Sequence, residues 1–318
     1  IDLMNQPFRL ANGQEVFVGA SIGIAMYPQD TEEHLQLVRN ADAALYEAKA
    51  GGRNTYRFYT EELTRAAQER LALEAALRRA LERNELVVHY QPVVSVATGH
   101  MIAVEALVRW NHPQEGLVSP LRFVPVAEDT GLIIPLGAWV LRAACRQGRR
   151  WLDSGRLLSV AVNLSSRQFA DDNLVDMVRE TLAETDFPAR LLTLELTEST
   201  IMTRPDQAIE MLGRLKALGV KLSIDDFGTG YSSLAYLKRF PVDTLKIDRS
   251  FVADIVDDED DRMIVAAVVV MARQLRLNVI AEGVENADQF DYLNRIGCAA
   301  CQGYLFGKPV PADELPPD

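Results

Sequence analysis

The sequence predicts an α/β fold built as a modified (β/α)8 TIM-type barrel, and three observations predict it. From residue 85 onward, eight short apolar, strand-like runs alternate with mostly amphipathic helical stretches over ~230 residues. Nearly every run closes on a residue that can ligate a metal or move a proton. The intervals between those residues, from Glu105 through Asn163, Glu195, Asp225, Lys246 and Glu282 to Gln302, are 58, 32, 30, 21, 36 and 20 positions. Such intervals are the lengths of successive strand–helix units.

Ahead of the barrel, residues 1–60 form a first block. The run 17–27 reads as strand and is ended by Pro28. Asp30 or Thr31 is expected to cap a helix whose apolar stripe is Leu35, Val38, Ala41, Leu45 and Ala48, and Gly51-Gly52 stops it. A short strand at 55–59 follows. So short a block with so little core is not expected to be a complete domain. Residues 61–82 read as a linker helix with Thr60 as its cap and Leu63, Ala67, Leu71, Leu77 and Leu81 as an approximate stripe. The barrel domain then occupies 83–318, with strands expected at 86–90, 103–108, 159–164, 192–196, 221–224, 244–247, 278–281 and 299–302.

Composition narrows the function. Of 318 residues, 48% are hydrophobic and 25% charged, which excludes wholesale disorder, and no apolar run approaches the ~20 residues that cross a bilayer. Only three cysteines occur, which suits a reducing compartment. The chain opens on Ile, without a signal-like segment, and reads as a cytoplasmic piece of a longer protein. Upstream segments are the place for any attachment to the inner membrane. A net charge of −12 argues against tracking long nucleic acid, whose affinity comes from Lys and Arg on phosphates. Any phosphate chemistry must therefore draw on local positive charge, from a few side chains or bound metal.

The C-terminal ends of parallel barrel strands converge on one face. Each carboxylate there has an ordinary reading as a solvated strand end or a helix cap. That reading fails for the set, since converging carboxylates repel one another unless a cation or a basic group neutralises them. All the ligands are oxygen donors with no His or Cys cluster near, so the expected ions are hard divalent ones, Mg²⁺ or Mn²⁺. Asp225-Asp226 suits two adjacent metals, the arrangement that activates water against a phosphodiester. Other motifs weigh less. Cys298 and Cys301 have redox spacing but read as strand packing, and Gly228-Thr229-Gly230 lacks the Lys-Ser/Thr of a P-loop.

Taken together, these residues resemble a known family. Glu105-Ala106-Leu107-Val108-Arg109 is similar to the signature of EAL-domain cyclic di-GMP phosphodiesterases. So are Gln91-Pro92-Val93, Val162-Asn163-Leu164-Ser165, Glu195-Leu196-Thr197-Glu198, the run 225–234, Leu245-Lys246-Ile247-Asp248, Ala281-Glu282-Gly283-Val284-Glu285 and Gln302-Gly303-Tyr304-Leu305-Phe306. Residues 1–60 resemble the tail of a GGDEF (diguanylate cyclase) domain without the motif that names it, so this fragment is not expected to make cyclic di-GMP.

The resemblance implies a barrel whose first strand runs antiparallel, against the all-parallel reading of 86–90. It implies that Glu105, Asn163, Glu195 and Asp225 hold one metal, with Asp225 bridging to a second held by Asp226 and, directly or through water, Glu282. Lys246 would orient or help deprotonate the attacking water, and Glu198 would anchor the loop 226–234. Gln91, Leu107, Arg109, Asp248 and Gln302 would meet the substrate or its water network. The implied reaction is hydrolysis of cyclic di-GMP to linear pGpG with Mg²⁺ or Mn²⁺, and Ca²⁺ is expected to inhibit. The implied partners are a second copy, as a homodimer through the EAL domain, and upstream sensory and GGDEF regions of the same chain. Two rival classes are a dinucleotide sensor without catalysis and an interaction platform; turnover with added metal separates all three.

Overall fold

The computed structural model describes residues 1–318 except positions 2, 3, 5, 11, 13, 14, 231–233, 317 and 318. The chain divides into two compact units, 1–77 and 78–318. In the first, strands Ile22–Ile24 and Tyr56–Phe58 pair in parallel beside the helix His34–Ala50. The strand expected over 17–27 is thus confined to its centre. Neither expected residue caps the helix. Its N-cap is Glu33, while the Asp30 carboxylate accepts the Met26 amide at 2.6 Å and the Thr31 hydroxyl accepts the Glu33 amide at 3.1 Å. Both side chains are spent on the turn before the helix. The buried stripe runs through Ala44 and Ala48, and Leu35 and Val38 are exposed. The next helix, Glu61–Glu82, contains the point at which the two units divide.

The second unit is a closed barrel of eight strands: β1 (Leu86–Ser95), β2 (Met101–His112), β3 (Ser159–Asn163), β4 (Leu192–Thr197), β5 (Lys221–Phe227), β6 (Thr244–Ile247), β7 (Asn278–Ala281) and β8 (Ala300–Gln302). From β2 to β8 successive barrel strands pair in parallel, and a short strand Gly116–Val118 adds antiparallel to the end of β2. β1 pairs antiparallel with both β2 and β8 and closes the ring. The parallel reading of 86–90 is therefore corrected. Only residues 96–100 join β1 to β2, turning at Gly99 with φ 72°, and a parallel crossover needs a dozen or more residues.

The walls form for an ordinary reason. Strands flanked on both sides by parallel neighbours are covered outside by helices and filled inside, so Val160, Val162, Leu192, Leu194, Leu222, Ile224, Leu245 and Ile247 are all buried. The helix Ile133–Asp153 shows the complementary pattern, burying Leu136, Val140, Leu141, Ala144 and Trp151 at three- and four-residue spacing. Among the described residues no helix is long and apolar enough to cross a membrane.

Short caps place the functional residues on one rim. Just past Asn163, Ser165 and Gln168 form a capping box that starts a helix turn; Asn286 and Gln289 do the same after Glu282, and Asp248 caps after Lys246. β3, β6 and β7 thus end within a few residues of Asn163, Lys246 and Glu282.

Candidate active site

Lys246 organises the rim. It leaves the centre of β6 at 1% exposure, and its ammonium lies 2.7 Å from Glu282, 2.8 Å from Glu195, 3.3 Å from Asp225 and 3.6 Å from Glu105. Burying an ammonium is expensive, and it persists here because four carboxylates surround it. Burial alone would lower its pKa, but Glu105, Glu195, Glu282 and Asp225 raise it well above the ordinary lysine value. The cluster answers asymmetrically. Burial pushes the Glu195 carboxyl well up, and Glu105 and Asp225 add to the rise against Lys246. Burial raises Glu282 to about 7 by the same balance. At Glu105 burial is outweighed by Lys246, Gln302 and Asn163, and its pKa falls.

The other strands complete the ring. The Asn163 amide donates to Glu105 at 2.6 Å, and the Gln302 amide donates to Glu105 at 2.6 Å and to Gln91 at 3.0 Å. The Gln302 carbonyl oxygen is buried and finds no donor among the described residues. Glu105, Leu107 and Arg109 stand at alternate positions of β2 and therefore on one face, stepping outward to the mouth. Arg109 is half-buried and donates to the carbonyl of Val108 at 2.8 Å.

Asp225 and Asp226 are neighbours in sequence, and in a regular strand their side chains would point to opposite faces. A register shift between Ile224 and Phe227 removes the conflict. Ile224 pairs with Leu245 and Phe227 with Ile247, so β5 carries one residue more than β6 opposite Lys246. Asp226 takes φ 52° in this bulge, and its carboxylate reaches Asp225 and Glu282, one oxygen of each lying within 4.8 Å of the others. Burial, with Asp225 and Asp248 close by, raises the Asp226 carboxyl. Asp248 holds the amide of Ser250 at 3.0 Å and sits beside Asp226 rather than over the centre of the ring.

Glu198 does not cap the short helix it begins. Thr197 is the N-cap, and Glu198 is buried with its carboxylate accepting the Gly228 amide at 3.1 Å, across the gap to the loop after β5. From the other side Phe251 closes on Gly228. Gly228 has φ 102°, and a Cβ there would lie 2.9 Å from the Phe251 ring. The loop's first glycine is clamped between a carboxylate and a phenyl group. Phe251 is a residue that sequence does not mark; only its place three residues after Asp248, on the helix β6 feeds, could have suggested it. Tyr231, Ser232 and Ser233 of the same loop lie outside the described residues.

β7 and β8 are locked in the same way. The Val284 amide donates to the backbone carbonyl of Gln302 at 3.1 Å, and a Cβ on Gly303 would meet the Val284 carbonyl oxygen at 2.1 Å. Only glycine permits that approach, which holds Glu282 against the Gln302 end of the rim.

The donor set fits divalent metal. It is all oxygen, and the Asp225–Asp226–Glu282 oxygens are spaced so that one cation about 2.1–2.5 Å from each could bridge them. A cysteine alternative is absent: Cys145, Cys298 and Cys301 are free and buried, with the Cys298 thiol on the Ala300 carbonyl at 3.3 Å.

A barrel with a reversed first strand, an acidic rim and a buried lysine at its centre defines the class, and comparison defines the family. The EAL domain family matches residues 74–309, and the chain belongs to it. The diguanylate cyclase, GGDEF domain family matches residues 1–55. The chain is 51% identical over 313 residues to the bifunctional diguanylate cyclase/cyclic di-GMP phosphodiesterase MucR of Pseudomonas aeruginosa, covering 98% of this chain and 46% of that protein. It is 42% identical over 306 residues to the cyclic di-GMP phosphodiesterase PdeR of Escherichia coli, covering 96% and 46%. A solved structure described as the PaMucR phosphodiesterase in complex with c-di-GMP superposes with TM-score 0.75 at 52% identity, covering 77% of this chain and 100% of that one. The chain spans about half the length of these curated relatives.

Proposed function

We propose that this chain is a cyclic di-GMP phosphodiesterase that opens one phosphodiester of the ring to give linear pGpG. The observation that carries the reading is the buried Lys246 held by four strand-end carboxylates, on a rim that also brings together Asp225, Asp226 and Glu282. Mg²⁺ or Mn²⁺ would be held by Glu105, Asn163, Glu195 and Asp225 at one position and by Asp225, Asp226 and Glu282 at the other. Bound there, the ions supply Lewis acidity and lower the pKa of water.

The chain's own residues do the rest. Lys246 is protonated in the metal-free protein, so it orients an attacking water by donating to it and offsets charge developing on the phosphate. Glu282, 2.7 Å from Lys246, would hold the second ion, and the attacking water's proton passes to the departing O3′ through the surrounding water. The water oxygen bonds to phosphorus, the P–O3′ bond breaks, and the departing O3′ ends protonated; one water is consumed. Arg109, Leu107 and Gln91 line the approach for the dinucleotide, Asp248 flanks it beside Asp226, and the orphan Gln302 oxygen accepts from the water network. Glu198 acts through the loop, by fixing Gly228 and so the bulge.

The reading extends to a cytoplasmic enzyme working as a homodimer through the EAL domain, with upstream sensory and GGDEF regions of the same chain as regulators. The test is product analysis. Cyclic di-GMP incubated with the protein and Mn²⁺ should yield pGpG as the first product by chromatography. Intact substrate after prolonged incubation, with binding retained, would assign the protein to the sensors instead.

A further inference from the structure

The reversal of β1 has a consequence on the outside of the barrel. Because β1 passes to β2 through a short hairpin, no helix follows it, and the helical jacket lacks one member there. The C-terminal tail takes only part of the space, pairing at Tyr90–Val310. What remains is a slot of about 370 Å³ over Leu86, Val88 and Tyr90, closed on one side by the helix Ile133–Asp153. Ligand pockets for small molecules run from about 300 to 1,000 Å³.

The helix turns a particular stripe toward the slot. Trp139, Arg142, Arg146 and Arg150 succeed one another at three- and four-residue spacing and so share a face. Three guanidinium groups in a row are a local reversal on a chain of net charge −12. Among the described residues one acidic group answers them. Glu184 accepts from Arg142 at 2.7 Å and also from Arg146, which leaves the stripe with net positive charge, and Arg150 is exposed. Neighbouring Arg149 faces elsewhere, onto Asp153 and Asp186. Half-buried Trp139 stands at one end of the ladder, with the apolar wall of β1 opposite.

The geometry points to this slot as a second ligand site, separate from the catalytic rim, that binds a nucleoside 5′-phosphate. The base packs on the β1 wall, with Trp139 closing the far end of the slot, about 16 Å along the helix from Arg150. The phosphate takes donors from Arg150 and from the Arg146 N–H groups that meet no acceptor among the described residues. The inference does not rest on the hydrolase reading, because neither the slot nor its residues take part in the rim.

The test is titration of the whole protein with GMP in excess chelator, where metal-dependent turnover is off. One saturable site is expected. Arg150→Glu should weaken it about tenfold or more, the loss of one charge-assisted bond to phosphate. Trp139→Leu should weaken it comparably while Trp139→Phe keeps it, and Arg109→Ala at the catalytic mouth should leave it unchanged. Cyclic di-GMP turnover by Arg150→Glu, measured with Mn²⁺ and no GMP, should equal the parent's. Absence of GMP binding up to about 1 mM overturns the proposal. So does binding that Arg109→Ala abolishes and Arg150→Glu leaves intact, or inorganic phosphate binding as tightly as GMP. Arg150 is exposed, so its variant keeps the test decisive if a Trp139 variant folds poorly.

Discussion

Lys246 decides most at the scale of single residues. From sequence it is expected to orient or help deprotonate the attacking water, so that its removal stops turnover while leaving the fold nearly intact. At 1% exposure among four carboxylates, that expectation needs amendment. Lys246→Ala should cut turnover by about a hundredfold or more, since the group meets the reacting water. Without metal it should also destabilise the barrel by about 3–5 kcal/mol, because the buried carboxylates lose their one cation. Melting curves in chelator and in Mg²⁺ check this: the mutant's deficit should shrink when the ion is added. Glu198 makes the contrasting case. Glu198→Ala should lower turnover and metal affinity together, by releasing the Gly228 amide and with it the loop. A mutant that melts early yet keeps normal activity and metal affinity while folded would return Glu198 to a purely local role.

At the scale of elements, the strand ends were legible and the turns between directions were not. Each ring residue closes a short apolar run, and one such run per barrel strand is visible without coordinates. The direction of β1 could not be read from its run, since a buried apolar strand looks the same either way, and the twelve residues between the expected strands 86–90 and 103–108 leave room for a crossover. Only the longer strands of the structure reduce the link to a hairpin. The bulge at Asp225–Asp226 was equally hidden, because a one-residue register shift leaves no compositional mark. Capping went wrong at Asp30 and Thr31, whose side chains serve the preceding turn. The bulge carries its own prediction. Gly228→Ala should cost about 1–3 kcal/mol for the strained backbone and push against Phe251, so turnover should fall further than stability alone explains. Thermal melts paired with kcat on the folded protein measure both.

For the whole molecule, the division at residue 77 separates a small α/β unit from a barrel that holds every ring residue. A chain beginning at residue 74, where the family match begins, should therefore fold and keep cyclic di-GMP turnover. Loss of turnover in a well-folded truncation would show that the first unit contributes to the site. The acidic balance of the molecule also takes its meaning here: a chain of net charge −12 can handle a dianionic dinucleotide only through cations gathered at one place. The barrel gathers oxygen ligands there and supplies one lysine of its own. Turnover of cyclic di-GMP in excess chelator, followed by restoration with Mg²⁺ or Mn²⁺ and then by challenge with Ca²⁺, tests that directly. The predicted result is activity abolished by the chelator, recovered with either small ion, and inhibited by Ca²⁺. Full activity in excess chelator would contradict it.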